Sequence, residues 1–82
     1  MTIEQMRVTR EANPFVPFTI RLANGRSHRI PHRDYLSMSP VGRTVVVYHA
    51  DGSASYLDLL LVTELSMDVP EGQPASDSNG SP

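Results

Sequence analysis

Apolar and polar residues alternate with the period of β-strands over most of this chain. In the segment PFTIRL every second residue is apolar, namely Phe18, Ile20 and Leu22, and the residues between them are polar. Such alternation is typical of a strand that buries one face. The pattern predicts strands at about 17–23, 26–31, 35–39, 43–50, 53–58 and 62–67.

One short helix is predicted before the strands. Thr2 is followed three residues later by Gln5, which is the spacing of a capping box at a helix N-terminus. The helix is expected from about 3 to 12, and Asn13-Pro14 ends it. A helix of this length is marginal alone in water, so we expect it to cover one open side of the sheet.

Two loops of similar composition, Ala23-Asn24-Gly25 and Ala50-Asp51-Gly52, separate pairs of predicted strands. A three-residue loop with Gly25 in a left-handed conformation sets Phe18 opposite Ile30 and keeps the apolar side chains on one face. A two-residue loop would place them on opposite faces. We therefore predict three-residue loops in both hairpins.

Two tight turns are predicted between strands. The first is a one-turn bend at 31–34, in which the candidate structural residues are His32, Asp34 and Tyr35. His32 is expected to cap or support this bend through a contact with Asp34. The second turn is expected at 59–61, where Asp58 can cap it before the last strand.

Length and composition limit the fold to one small domain. The chain has 82 residues and no cysteine, which excludes disulfides and thiolate metal sites. Residues 1–68 are the predicted domain, and 69–82, with almost nothing apolar to bury, are predicted to be a disordered acidic tail. Short antiparallel strands must close or cover their edges. We predict a mainly β, α+β fold in which a short N-terminal helix precedes a four- to five-stranded antiparallel sheet curled into a small barrel.

The chain carries two family resemblances. The segments PFVPFTIRLANGR, PHRDYL and DLLLVT resemble a group of short uncharacterised bacterial proteins with the motifs F-x-P-F-x-I-x-L-x-[ND]-G-R, P-H-x-[DE]-[FY]-L and D-L-x-x-V-T. The order of helix, Asn-Gly-Arg hairpin and final turn is similar to that of Sm-like barrels, which form rings and bind single-stranded RNA. The resemblance implies an SH3- or Sm-like barrel. The Asp-x-x-x-Asn pattern of the Sm family is not matched after Asp34, so no RNA-binding residue is carried over.

Charge is divided unevenly along the chain. All seven basic residues are arginines at or before Arg43. Residues 1–50 contain seven arginines and three acids, a net charge of +4, whereas residues 51–82 contain six acids and no basic residue. A guanidinium group presents a planar set of donors that suits phosphate. The candidate anion- or nucleic-acid-binding residues in the first hairpin and its exit are Arg21, Arg26, Arg29 and Arg33. The alternative is a solvated face balanced by the chain's own acids.

Metal and catalytic sites are not predicted. His28, His32 and His49 could be grouped as zinc ligands, but the spacing of the first two is helical in a segment that a proline interrupts. A set of Ser37, His32 and Asp34 has the residue types of a catalytic triad without the glycine-rich elbow that positions a nucleophilic serine. We expect no cofactor and no enzyme activity.

A partner surface is the function that the composition favours. No apolar run approaches the roughly 20 residues that span a bilayer, and charged residues near the N-terminus interrupt any signal-peptide pattern, so we expect a cytoplasmic protein without a membrane partner. Leu60 is predicted on the face opposite Leu59 and Leu61. We expect a non-catalytic interaction module that binds a protein partner or self-associates. The alternative is an Sm-like RNA- or DNA-binding module that uses the four candidate arginines.

Overall fold

A computed structural model describes residues 1–68 of the chain. In this range each strand lies inside the bounds expected from the sequence, and the helix ends one residue before its expected end. The predicted tail at 69–82 lies outside the described residues. The elements are α1 (Ile3–Glu11), β1 (Phe18–Leu22), β2 (Ser27–Ile30), a 3-10 turn (Arg33–Tyr35), β3 (Leu36–Met38), β4 (Thr44–Tyr48), β5 (Ala54–Asp58), a second 3-10 turn (Leu59–Leu61) and β6 (Val62–Met67).

The helix α1 begins with the predicted capping box. The Gln5 backbone N–H donates to Thr2 Oγ1 at 3.1 Å, and the Thr2 backbone N–H donates to Gln5 Oε1 at 2.9 Å. Met6 is the fully buried residue of the helix. At the other end, Arg10 Nε donates to the carbonyl oxygen of Leu36 in β3 at 2.6 Å. These contacts fix α1 along one side of β3.

Both hairpins have the predicted three-residue loops. Phe18 lies opposite Ile30 in the β1–β2 pair, which is the register that keeps the apolar side chains together. A backbone hydrogen bond closes each loop, at 2.9 Å in the first hairpin and 2.8 Å in the second. Gly25 has φ of 88° and Gly52 has φ of 92°, so both glycines occupy the left-handed region.

The six strands form two three-stranded antiparallel sheets, in the orders β2-β1-β6 and β3-β4-β5. The fold is α+β, but the predicted single sheet of four or five strands is not found, and residues 1–68 do not form a closed barrel. The division occurs after β2. Pro31 has no backbone N–H to continue the ladder, and the turn at Arg33–Tyr35 redirects the chain into the second sheet.

One hydrophobic core joins the two sheets. Its buried residues come from the helix and from both sheets, and they are Met6, Phe18, Ile20, Leu22, Ile30, Leu36, Val45, Val47, Leu57, Leu59 and Val62. The helix and the two sheets therefore share a single core. Within residues 1–68, no helix has the length and apolar character that crossing a membrane requires.

Candidate functional site

Three of the four candidate arginines contact other parts of the chain. Arg21 Nε lies 3.8 Å from a carboxylate oxygen of Glu64, and Arg29 Nη2 lies 2.5 Å from Asp68 Oδ2. Arg33 points elsewhere, because its Nη2 donates to the backbone carbonyl of residue 12 at 2.7 Å and its guanidinium lies 5.7 Å from the ring centre of Phe15. Three of the four candidate guanidinium groups therefore already have partners within the chain.

Arg26 differs from the other three arginines. Among residues 1–68 its side chain has no hydrogen-bond or ion-pair partner, while its backbone N–H donates to Asn24 Oδ1 at 2.9 Å within the loop. The Arg26 side chain lines a groove between the first hairpin and β5. It is thus the candidate arginine that is placed to meet an external group.

The bend residues support the turn in a different way from the one expected. The Tyr35 backbone N–H donates to the His32 carbonyl oxygen at 3.0 Å. The His32 side chain makes no capping hydrogen bond, and among residues 1–68 no hydrogen bond or ion pair joins it to Asp34. Instead its ring lies 6.2 Å from the ring of Tyr35. His32 therefore does not cap this turn through a side-chain hydrogen bond, and the backbone closes the turn instead.

The side chains of the candidate triad make contacts other than those of a catalytic triad, and the candidate zinc ligands do not form a set of three. Ser37 Oγ accepts a hydrogen bond from the Tyr48 hydroxyl at 3.1 Å, and His32 packs on Tyr35. In the part of the chain that the structure describes, no group of three or more histidine, cysteine or acidic side chains is placed to hold a metal ion.

His28 and His49 form a pair that joins the two sheets. Their ring centres are 5.5 Å apart, and His49 Nε2 is hydrogen-bonded to Ser55 Oγ at 2.9 Å. His28 is only 8 % exposed. Burial lowers the pKa of His28 below its ordinary value of 6.5, and the neighbouring His49 and Arg26 lower this pKa further. The neutral imidazole is therefore the form that the fold favours.

A groove of about 320 Å³ lies between the first hairpin and β5. We call it the β5 groove. Its lining combines apolar and polar groups, including Leu22, Arg26, His28, Tyr56, Leu57 and Leu61. At its side, Asp58 caps the turn that follows β5. The backbone N–H of Leu60 and the Arg43 guanidinium hold the pKa of Asp58 below its ordinary value of 3.8.

Large apolar side chains are exposed at and beside the β5 groove. The exposed fractions are 77 % for Tyr56, 68 % for Leu60 and 53 % for Leu61. The sequence predicts only Leu60 on the outer face. Leu61 is exposed as well, because successive side chains of the predicted turn at 59–61 point in different directions instead of alternating between two faces. The turn buries Leu59 and presents the two leucines that follow it.

A second groove of about 310 Å³ lies beside Arg29. Its lining includes the rings of Tyr35, Tyr48 and His49, and His28 lies between this groove and the β5 groove. We call it the aromatic groove. Along the sequence, no phenylalanine, tyrosine or tryptophan lies between Arg21 and Arg33, and the next is Tyr35. The structure brings Tyr48 and His49 there because β4 ends next to the first hairpin.

The pairing of His28 with His49 could not be read from local patterns. The alternation in β2 correctly directs His28 inward. The alternation does not indicate that the two hairpins lie next to each other, because that depends on the division into two sheets. The available signal was that each histidine lies close to an Ala-x-Gly loop of the same type.

The chain was compared with protein-family models, with curated proteins and with solved structures, and none of these comparisons found a match.

Proposed function

We propose that this chain is a non-catalytic protein-binding module whose contact surface is the β5 groove with Tyr56, Leu60 and Leu61. The observation that carries the proposal is the exposure of these three large side chains together. Adjacent residues of the same segment, Leu57 and Leu59, are buried in the core. Because monomeric proteins rarely expose large contiguous apolar patches, the exposure of these side chains supports a contact surface here.

The composition of the groove fits a protein partner. Interfaces are enriched in tyrosine and arginine around an apolar centre. The β5 groove provides Tyr56 and Leu61, and Arg26 lies on its opposite wall. A partner that places an apolar side chain between these walls and a carboxylate near Arg26 would satisfy both kinds of group.

The proposed architecture is an open SH3- or Sm-like arrangement. Two three-stranded antiparallel sheets on one core, preceded by a helix, support it. The proposed location is the bacterial cytoplasm, which is supported by the resemblance of the PHRDYL and DLLLVT segments to short bacterial proteins.

A display library of random peptides tests the proposed function. The full chain is used as bait, and the Tyr56→Ser/Leu61→Ser double variant is the matched control, since both side chains are exposed and their replacement leaves the core intact. We expect enrichment of peptides that combine apolar and acidic residues and that do not bind the control. Failure to enrich any peptide, or equal binding to both baits, would contradict the proposal.

A second candidate function is the binding of single-stranded RNA or DNA in the aromatic groove. Rings beside a guanidinium group are the usual platform for stacked bases, and Tyr35 and Tyr48 line this groove with Arg29. Labelled single-stranded RNA, titrated at two salt concentrations, tests this candidate. Binding that weakens with salt and disappears in Arg21→Ala/Arg29→Ala would support it. Absence of binding at low salt would eliminate it.

A further inference from the structure

Each of the two sheets has two edge strands, and three of the four edges carry features that hinder pairing with another chain. At β3 the helix α1 covers the edge, because Arg10 Nε occupies the Leu36 carbonyl oxygen. At β2 the strand is only four residues long, carries Arg29 and is followed directly by Pro31. At β6 the register shifts between Arg21 and Leu22, so that Thr63 has no paired residue in β1 and its hydroxyl donates to the Arg21 carbonyl instead, at 3.2 Å.

The fourth edge, β5, lacks these features within the described residues. It is five residues long, its register with β4 is regular, and it contains neither proline nor a basic residue. Pairing alternates along an antiparallel ladder, so every second residue directs its N–H and C=O away from the neighbouring strand. The His49 N–H donates to the Ser53 carbonyl at 2.8 Å, which sets the phase of this alternation.

This phase directs the backbone groups of Ala54, Tyr56 and Asp58 outward. The hydrogen bond from the Leu59 N–H to the Arg43 carbonyl, at 2.9 Å, has the same phase at the other end of β5. Three consecutive outward positions on a regular strand make a template for one further antiparallel strand.

We propose that β5 pairs with β5 of a second copy of this chain, antiparallel and about a two-fold axis at Tyr56. The inference rests on the proposed function, since it names the second copy as the partner of that surface. In this register Tyr56 lies opposite Tyr56 of the second copy, and Ala54 lies opposite Asp58 of the second copy. All outward N–H and C=O groups of β5 are then hydrogen-bonded.

Electrostatics favours this register. The one charged residue of β5 is Asp58, and Arg43 Nε lies 3.0 Å from its Oδ1. About the proposed axis each Asp58 faces an alanine, so that no like charges are opposed. A register that placed the two Asp58 residues opposite each other would be unfavourable.

The exposed apolar side chains also fit a symmetric contact. Tyr56 is 77 % exposed in one copy, and the two-fold axis would place the two tyrosines side by side. Aromatic pairs across strands are among the favourable cross-strand neighbours. Leu61 lies in the same groove, so pairing would also cover the apolar wall next to the strand.

Sedimentation equilibrium of the full chain over a range of concentrations tests the proposal. The mass should approach twice the chain mass of 9.1 kDa. Tyr56→Lys should raise the dissociation constant about tenfold or more, because two like charges then face each other at the axis. Tyr56→Glu should have the same effect. A mixture of the two variants should restore the dimer, since opposite charges then meet.

Thr63→Lys is the matched control, because it adds the same charge at an exposed position on the β6 edge. It should leave the dimer intact, and circular dichroism should show that all three variants keep their fold. A chain that stays monomeric at every concentration, a mass above that of a dimer, dissociation by Thr63→Lys, or a variant mixture that remains monomeric would overturn the proposal. If library peptides still bind a monomeric chain, the dimer is excluded while the proposed function stands.

Discussion

The first and second hairpins have the same loop but different second arms. In the first, the outward face of the hairpin carries Arg21 and Arg29, and each lies next to an acid contributed by β6 or the residue after it. In the second, β5 presents Tyr56 to solvent and leaves one edge without a partner strand among residues 1–68. In the sequence alone, the arginines of the first hairpin are the more obvious candidate for a binding site.

The difference shows that a cluster of charged residues in the sequence does not by itself identify a binding surface. Arginines in such a cluster can form ion pairs with acids that lie far away in the chain, as Arg29 does with Asp68. An apolar residue that is exposed in the folded chain has no such internal partner. We therefore propose the second hairpin, rather than the first, as the contact surface.

The two hairpins should differ most in how much one aromatic side chain of each contributes to the free energy of unfolding. Phe18→Ala removes a fully buried ring and should lower the free energy of unfolding by about 3–5 kcal/mol. Tyr56→Ala should change it by less than about 0.5 kcal/mol when measured at low protein concentration, where the chain is monomeric. Urea denaturation measures both values. A similar loss in the two variants would mean that Tyr56 belongs to the core of the single chain.

The shared loop geometry should give the two hairpins equal sensitivity at their glycines. Gly25→Val and Gly52→Val should each lower the free energy of unfolding by about 1–3 kcal/mol, since β-branched residues are strained at positive φ. A Cβ at either position would meet nothing within 4 Å, so the loss comes from the backbone alone. Gly25→Asn and Gly52→Asn are controls with smaller expected losses. Urea denaturation measures the free energy of unfolding of the four variants. If one of the two valine variants were as stable as the wild-type chain, the shared loop geometry would be contradicted.

The contact between the hairpins should make stability depend on pH. His28 has a lowered pKa in the folded chain, so the unfolded chain binds more protons between that pKa and the ordinary value of 6.5. The stabilisation is fully present above about pH 6.5 and is lost as the pH falls toward the lowered pKa. His28→Leu should flatten this part of a profile of unfolding free energy against pH.

The exposed His32 provides the control for this profile. His32→Leu should keep the decrease below about pH 6.5 that the wild-type chain shows. If His28→Leu kept the decrease and His32→Leu removed it, the burial of His28 between the hairpins would not be its cause.

The ion pairs of Arg21 and Arg29 should contribute little to stability. Arg21→Ala and Arg29→Ala should each lower the free energy of unfolding by about 0–1 kcal/mol, because exposed ion pairs are weak. The losses should shrink further in high salt. Neither variant should change the mass of the chain in solution. A change in the mass of either variant would indicate that the contact surface is on the first hairpin.

Local chemistry made the hairpins and the helix start predictable. The alternation around Phe18 and Ile20 fixes which side chains share a face, and only the three-residue loop keeps them there. The Thr2–Gln5 capping box likewise depends on residues three apart. Each of these features is decided within a few residues, so one sequence suffices to predict it.

Long-range pairing was beyond the reach of the same reasoning. Whether β2 and β3 continue in one sheet depends on the direction the chain takes after Pro31, and the sequence does not show that direction. The partners of Arg21 and Arg29 lie about forty residues further along the chain, at Glu64 and Asp68. The candidate arginines could be listed from the sequence, but their internal contacts required the three-dimensional fold.

Amide hydrogen exchange at low and high protein concentration tests whether the contact surface is β5 or the first hairpin with Arg21 and Arg29. If it is β5, the amides of Ala54, Tyr56 and Asp58 exchange more slowly at high concentration, while those of Ser27 and Arg29, which face outward on β2, exchange at an unchanged rate. Slower exchange at Ser27 and Arg29, with no change in β5, would contradict this prediction.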